Sequence, residues 1–350
     1  MSTAPSAASP STVSAAPSPE RSTDLAPARA SALAGDRAAD ASLQPRPDPR
    51  PAAAAPDADA TDAENAYRLH RRFDRMGRLF GDTAMERLFA SHVMVIGLGG
   101  VGGFAAESLA RSGIGRLTLV DFDRVCVTNS NRQLQAMRGT IGKYKAQVLA
   151  ERLRLINPQA TVEPICRFYD QASAAALLSL APDFIVDAID NITAKCHLIA
   201  TARRMGLPLV SATGASGRLD PTLLRIGDLA DTRIDPLAQE VRHILRRKYG
   251  FPAEGAFGIP AVYSLEHPQH PEELHYDHGE GFHCVCPGGK NDHHSCEERR
   301  LIYGTASFVT GSFGLSCASV VVRSLVDRQR TSTAGVTPRD ASAAGSSDVD

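Results

Sequence analysis

The first 66 residues lack the side chains that build a hydrophobic core. Before Tyr67 there is no aromatic residue and no isoleucine, whereas ten of the 22 prolines lie there. Such a segment buries too little apolar surface to offset the entropy lost on ordering. We therefore predict a disordered arm over 1–66 and, from a tail of Ser, Ala, Gly, Thr and Asp, disorder over 331–350. The remaining 67–330 is long enough for one large α/β domain.

The chain also lacks a strong excess of charge and a long apolar run. Its formal net charge of −1 excludes a highly basic nucleic-acid coat protein. No apolar run reaches the ~18 residues that a membrane span needs. The nearest run, 308–322, contains several Ser and Gly residues. Because the N-terminus has no basic start followed by an apolar core, we expect no signal peptide and no membrane partner.

The cysteines do not suggest a disulfide framework. The chain has seven, an odd number, and four of them lie in apolar contexts typical of helices or strands. This usage suits a reducing compartment, so we expect a cytoplasmic protein. The four are Cys126, Cys166, Cys196 and Cys317.

Short apolar runs alternate with helical patterns through the middle of the chain. After a basic helix at 67–89, strands are predicted at 93–96, 117–121, 161–165, 184–188 and 209–212, and helices at 100–112, 143–156, 171–180 and 192–205. This alternation predicts an α/β, Rossmann-like fold: a mostly parallel sheet with helices on both faces. Ligands then bind where the carboxyl ends of the strands meet.

The pattern becomes less regular beyond Gly214. A strand is predicted at 222–226, a basic amphipathic helix at 235–248, a loop-like stretch at 250–300 and an apolar helix at 305–326. We interpret 235–300 as an insertion in the domain, made of the basic helix and a loop rich in Cys and His.

A glycine-rich turn joins the first of these strands to a helix. It runs Gly97-Leu98-Gly99-Gly100-Val101-Gly102, where glycine lets the backbone turn sharply and approach a phosphate, which the helix N-terminus then holds. Asp121 ends the next strand 19 residues after Gly102, where a carboxylate can bind ribose hydroxyls. A turn without a ligand is the plainer alternative, and the motif alone does not distinguish NAD from ATP.

Polar and cationic residues crowd the segment that follows. Transfer of an adenylyl group develops charge on phosphates, which Arg and Lys stabilise. Asp190 ends the fourth strand and is placed to hold Mg²⁺ against those phosphates, whereas Asp187 is also suited to pairing with a neighbour or capping a helix. The segment contains Asn129, Asn131, Arg132, Gln133, Lys143 and Lys145.

Together these segments, over about 67–226, resemble the E1-like adenylating family, which includes ThiF, MoeB and the ubiquitin-activating enzymes. The joint pattern is far more specific than any single motif. The matching motifs are Gly-x-Gly-Gly-x-Gly from Gly97, Asp121-Phe-Asp123, Asn131-Arg132-Gln133, Gly142-x-x-Lys145, Arg154-x-x-Asn157-Pro158 and Asp187-x-x-Asp190-Asn191.

The resemblance implies a catalytic site for ATP and Mg²⁺. It assigns phosphate contacts to Arg132 and Lys145 and the Mg²⁺ to Asp190, and it leaves a monovalent cation as a further candidate cofactor. An arginine ahead of the first strand reaches the ATP of a neighbouring subunit in this family, which implies a homodimer; Arg75 matches it best and Arg72 is the alternative. The implied nucleotide-binding residues are Gly97, Gly99, Gly100, Gly102, Asp121, Asp123, Asn129, Asn131, Gln133 and Asn191.

Segments 72–81, 125–133 and 214–222 resemble one branch more closely, the tRNA threonylcarbamoyladenosine dehydratases, over about 72–323. This resemblance implies ATP-dependent cyclisation of the t6A nucleoside at position 37 of tRNA, through an acyl adenylate of the threonyl carboxylate. A nitrogen of the same substituent then closes the ring, so proximity replaces an enzyme thiol. A cysteine that the branch often carries is replaced here by Ala261, unless the match is shifted within a variable loop.

Two further features lie in the predicted insertion. Cys284, Cys286, Cys296 and His293 could supply a tetrahedral Zn²⁺ site, although a loop whose Cys and His pack or face solvent is the favoured alternative. The basic helix could contact tRNA phosphates or could simply be a solvated face. Its cations are Arg242, Arg246, Arg247 and Lys248.

The sequence therefore leaves three candidate functions for this protein. A tRNA-modifying enzyme is the leading hypothesis. An activator of the C-terminus of a ubiquitin-like sulfur carrier is the second, and it is opposed by the missing paired Cys-x-x-Cys. A cysteine desulfurase or sulfur-acceptor system is a further candidate partner of the chain. An NAD-dependent oxidoreductase or a non-catalytic nucleotide-binding module is the third, and it is opposed by Arg132, Lys145 and Asp190 occurring together.

Overall fold

The computed structural model describes residues 71–274 and 303–327, and in them seven strands form one sheet. The strands are β1 His92–Ile96, β2 Arg116–Val120, β3 Thr161–Ile165, β4 Phe184–Asp187, β5 Leu209–Ala212, β6 Leu224–Asp228 and β7 Pro260–Ser264. The helices are α1 Asp74–Phe80, α2 Asp82–Ala90, α3 Gly102–Arg111, α4 Lys145–Ile156, α5 Gln171–Leu178, α6 Ile192–Met205, α7 Pro236–Tyr249 and α8 Ser307–Asp327.

The strand order places a crevice at the centre of the sheet. The order is β3-β2-β1-β4-β5-β7-β6, and every neighbouring pair is parallel except β6 with β7. The chain leaves β1 in one direction for β2 and β3 and then returns past it to β4. In parallel sheets, ligands bind at the carboxyl ends of the strands where the order reverses in this way. The predicted α/β, mostly parallel architecture is confirmed.

Alternating strand residues build two cores, one on each face of the sheet. Val93 and Val95 point to the face covered by α2, α3, α4 and α8, whereas Met94 and Ile96 point to the face covered by α5, α6 and α7. Because β1 is buried on both faces, it carries a continuous apolar run rather than an alternating one. The helices on both faces therefore fix the positions of the strand ends that border the crevice.

Helix α8 is the one helix among 71–274 and 303–327 that is long and apolar enough to cross a membrane. Its most apolar window is 61% buried inside the protein. Its side chains Val309, Phe313 and Cys317 belong to the core that also contains α3 and β5. This is the packing of a core helix, which accounts for its composition.

Two sequence predictions were wrong. The helix predicted over 67–89 is divided into α1 and α2 at Gly81, whose φ of +85° cannot continue a helix. The stretch predicted as loop-like, 250–300, contains strand β7, so part of the predicted insertion belongs to the sheet. Ala261 is fully buried in β7, opposite Ser211 of β5, rather than in a loop. The remaining strands and helices begin and end within about two residues of their predicted bounds.

Candidate active site

A cavity of about 540 Å³ opens at the carboxyl ends of the central strands. Its walls include the segments that follow β1, β2, β4 and β5, together with the start of α8. Gly99, Asp121, Asp190, Thr213 and Thr310 represent these five segments among the lining residues. Both the glycine turn and the polar segment of the sequence therefore face the same space.

The glycine turn is shaped by close contacts on one side and by open space on the other. Gly97 has a φ of +88°, and a Cβ there would lie 2.6 Å from the carbonyl oxygen of Ala188. A Cβ on Gly102 would overlap the carbonyl oxygen of Gly97. At Gly99, in contrast, the nearest atom to such a Cβ would be Gln133 Nε2 at 3.9 Å. The turn is thus tightly packed against the protein and leaves a cradle at Gly99, as close approach of a phosphate requires.

Two side chains clamp the peptide of Leu98 in this turn. Its N–H donates to Asp121 Oδ2 at 2.6 Å, and its carbonyl accepts from Gln135 Nε2 at 2.6 Å. Asp121 Oδ1 also accepts from the N–H of Asp123 at 2.8 Å. Burial raises the pKa of Asp121. The carboxylate predicted for the ribose therefore lines the cavity and also holds the turn in place, and sequence reasoning did not identify Gln135.

Lys145 reaches the cavity through Asp123. Its Nζ donates to Asp123 Oδ2 at 2.8 Å, and the lysine side chain is 8% exposed. Burial acts to lower the pKa of Lys145, but the carboxylates of Asp121 and Asp123 outweigh it and raise that pKa. The ammonium is thus a stable positive charge behind the lining residue Asp123, rather than a lining residue itself.

Asp190 stands on a turn held by a buried ion pair. Lys195 Nζ lies 2.7 Å from Asp187 Oδ2 and donates to the carbonyl of Ile189 at 3.0 Å. Asp187 accepts from Ser211 Oγ at 2.7 Å and from the N–H of Ile189 at 3.1 Å. Asp187 thus pairs with a neighbour, one of its two expected roles. The exposed Asp190 is left facing the cavity.

The structure brings nine of the fourteen predicted ATP-site residues to the cavity wall. Of the other five, Asn191 caps helix α6 through the N–H of Ala194, and Asn131 donates to the carbonyl of Thr305. Arg75 lies on α1 with its side chain 92% exposed. The nine lining residues are Gly97, Gly99, Gly100, Asp121, Asp123, Asn129, Arg132, Gln133 and Asp190; Gly102, Asn131, Lys145, Asn191 and Arg75 do not line it.

Sequence reasoning missed two further cations at the cavity. Arg124 and Arg167 both line it, and Arg124 is held over the ring of Tyr144 at 4.1 Å. Arg124 lies three residues after the predicted strand 117–121, and Arg167 lies two residues after the predicted strand 161–165. The rule that ligands bind after parallel strands could therefore have identified both. With Arg132 they give the cavity three lining arginines, which suit the phosphates of a nucleotide.

The arginines of helix α7 do not form one solvated face. Arg242 donates to Thr232 Oγ1, and Arg246 donates to the carbonyl of Pro252 at 3.2 Å and stacks over Phe257 at 5.0 Å. Arg247 and Lys248 are exposed at the end of the helix. The predicted Zn²⁺ ligands Cys284, Cys286, His293 and Cys296 lie outside the described residues, and 71–274 with 303–327 holds no group of three metal-ligating side chains.

The mostly parallel sheet, the glycine turn and a cavity lined by arginines and aspartates define an α/β nucleotide-binding domain. The family model described as "ThiF family" matches residues 73–342, so the chain belongs to the ThiF family.

Individual relatives match over nearly their whole length. The tRNA threonylcarbamoyladenosine dehydratase of Haemophilus influenzae is 40% identical over 261 residues, which are 74% of this chain and 95% of the relative. The Escherichia coli enzyme of the same name is 38% identical over 73% of this chain and 94% of the relative. The crystal structure of the E. coli enzyme in complex with ATP matches with a TM-score of 0.65 and 35% identity, covering 77% of this chain and 98% of that one.

Proposed function

We propose that this protein is an ATP-dependent tRNA threonylcarbamoyladenosine dehydratase, which cyclises the t6A nucleoside of tRNA. The observation that carries the proposal is the match over 95% of a relative of that name. The cavity supports it, since the cradle at Gly99, three arginines and the carboxylate of Asp190 all line it.

The proposed reaction has two steps. The threonyl carboxylate of t6A attacks the α-phosphate of ATP, forming an acyl phosphate bond while the bond to pyrophosphate breaks. A nitrogen of the ureido group then attacks the activated carbonyl, loses its proton and expels AMP, which closes the ring. One water is removed from t6A overall, and its oxygen leaves on AMP.

The chain's residues would act on charge and position in these steps. Arg132 lines the cavity and would stabilise the charge that develops on the phosphates. Lys145 would add a second positive charge from its position behind Asp123, to which it is hydrogen-bonded. Asp190 would hold Mg²⁺, which supplies charge neutralisation at the phosphates when bound. A single carboxylate plus phosphate oxygens suits Mg²⁺, which keeps several of its waters and needs no all-protein cage.

The test is nucleoside mass spectrometry of t6A-containing tRNA incubated with the purified protein, ATP and Mg²⁺, under conditions mild enough to spare the ring. We expect t6A to lose one water while AMP and pyrophosphate form. Intact t6A with ATP still bound would contradict the proposal. A parallel reaction with a carrier protein ending in Gly-Gly would then test the sulfur-carrier alternative.

We further propose a homodimer in which Arg75 contacts the ATP of the other subunit. An exposed guanidinium that does not line the cavity of its own chain supports this arrangement. Arg75→Ala should lose activity, and mixing it with an Asp190→Ala subunit should restore part of that activity, because one site of the mixed dimer is complete. No restoration would contradict the trans arginine, and Arg72 would be tested next.

The exposed end of α7 is the proposed tRNA-binding surface. Arg247 and Lys248 are available for phosphates, whereas Arg242 and Arg246 are engaged within the protein. We also propose that the enzyme works in the cytoplasm, in keeping with three free thiols buried in the fold. A sulfur-transfer partner and a monovalent cation stay expectations of the family resemblance, and the reaction above needs neither.

A further inference from the structure

A single buried carboxylate connects the cavity wall to the basic helix. Asp235 Oδ2 accepts from Thr213 Oγ1 at 2.7 Å and from the N–H of Gly214 at 2.9 Å, and both of these residues line the cavity. Its Oδ1 accepts from the N–H of Ala238 at 2.9 Å and so caps helix α7. The segment 213–218, of which residues 213–216 line the cavity, and the first turn of α7 therefore share one anchor.

Arg218 completes this anchor from the other side. Its side chain is 1% exposed, and its guanidinium reaches Asp235 Oδ2 at 3.4 Å, the carbonyl of Gly214 at 3.0 Å and the carbonyl of Glu266. The planar fork of arginine serves three acceptors at once, which the point charge of lysine cannot do. None of these contacts is used by the chemistry proposed above.

This wall lies on the far side of β4 from the glycine turn. Two strand spacings of about 4.8 Å separate β1 from β5, so the wall is about 10 Å from the phosphate cradle. Leu237, in the first turn of α7, also lines the cavity. From there the helix rises 1.5 Å per residue, so Arg247 and Lys248 lie about 15 Å along it.

We propose that Arg218 and Asp235 form a positioning pair for the RNA substrate. This rests on the proposed function. The pair touches no reacting atom; it fixes the cavity wall at 213–216 relative to α7. A nucleoside that enters over the wall, with its backbone on the basic end of the helix, then meets the nucleotide in one geometry. The pair acts on use of the tRNA and not on binding of ATP.

Asp235→Asn separates the two roles of this carboxylate. Asparagine still accepts from Ala238 and caps the helix, but its NH₂ group cannot accept from Thr213 and Gly214. We expect kcat/KM for t6A-tRNA to fall about tenfold to a hundredfold, as small misplacements of a substrate do. The Kd of ATP, measured by calorimetry, should not change. Arg218→Lys should give the same split.

The matched control is Asp228→Asn. Asp228 also caps a short helix, and it accepts from the N–H groups of Ala230, Phe257 and Gly258, but it does not line the cavity. In this variant kcat/KM for t6A-tRNA and the Kd of ATP should both equal those of the parent. A selective effect in Asp235→Asn and none in Asp228→Asn supports the pair; equal loss of ATP binding and tRNA use overturns it.

Ser216→Leu keeps the test independent of folding. Ser216 is exposed on the same wall, so a larger side chain disturbs no core packing and only obstructs the entering nucleoside. It should reproduce the selective loss on tRNA, and normal tRNA use with Leu there would overturn the assignment of the wall. A parent protein that leaves t6A unchanged would refute the function itself, whereas an active parent with fully active Asp235→Asn refutes only this pair.

Discussion

Two fully buried ion pairs lie beneath the cavity, and they hold its two sides differently. Asp187 and Lys195 belong to one strand–turn–helix unit, and both bond to the backbone of Ile189 between them. Arg218 and Asp235 instead join a loop to the start of helix α7. The first pair fixes one turn and the carboxylate that it carries, whereas the second fixes how two elements meet. Damage to either pair should lower stability, but only damage to the second should also change use of the tRNA selectively.

The largest effect is expected from breaking the more local pair. Lys195→Met leaves Asp187 as a buried carboxylate with no counter-charge, and such a change costs about 3–5 kcal/mol of unfolding free energy. Urea denaturation followed by circular dichroism measures it. The double variant Lys195→Met/Asp187→Leu should recover much of the loss, because no charge is then left buried. If the double variant is less stable than the single one, the pair is not what holds this turn.

The second-largest effect is expected at Asp190, the residue that the Asp187–Lys195 pair positions. Asp190 is exposed, so Asp190→Ala should change the unfolding free energy by less than about 1 kcal/mol. Pyrophosphate release should nevertheless fall about 10²–10³-fold, the loss typical of removing one charge-stabilising group. Exposed Asp231, which does not line the cavity, supplies the control Asp231→Ala with full activity. Normal pyrophosphate release from Asp190→Ala would contradict the Mg²⁺ assignment.

The same contrast explains which parts the sequence could predict. The Asp187–Asp190 turn lies within one strand–helix repeat, where local periodicity and a short motif determine both fold and site. Lys195, the partner of Asp187, was missed because a lysine on a helix is usually solvated, and only tertiary packing buries this one. Arg218 and Asp235 meet across a non-local contact that no spacing rule predicts, although 214–222 was singled out as a segment.

Strand β7 was missed for a related reason. Its five residues begin with Pro260 and stand in a stretch rich in Gly and Pro, which indicates a loop. Proline is tolerated at the first residue of a strand, and β7 gains its place by pairing with β5 and β6, which are distant in the chain. Propensity is a weak guide when tertiary pairing decides the conformation.

The glycine turn reaches its shape by close packing, so two of its glycines should respond differently to an added methyl group. In Gly102→Ala the new Cβ overlaps the carbonyl of Gly97, and the strain should lower the unfolding free energy by about 1–3 kcal/mol. In Gly99→Ala the methyl group meets no protein atom within 3.4 Å, so stability should be unchanged while it fills the phosphate cradle. Calorimetry should show weaker ATP binding in this variant.

Gly304→Ala controls for the loss of a glycine as such. A Cβ there meets open space, so both stability and ATP binding should match the parent. Equal ATP affinity in Gly99→Ala and the parent would mean that the phosphates do not approach the turn at Gly99.

The smallest effect lies at the far end of helix α7, beyond the reach of either ion pair. Removing one cation from a phosphate lowers the slope of log K against log salt by about 0.7–0.9, so Arg247→Ala/Lys248→Ala should lower it by about 1.4–1.8 for tRNA. ATP affinity should not change. Arg246→Ala is the matched comparison, because it removes a hydrogen bond to Pro252 and the stacking on Phe257. It should lower stability and leave the salt slope unaltered. The reverse result would mean that the cation stacked on Phe257 binds the RNA, and the anchor at Asp235 would then orient a different face of the helix.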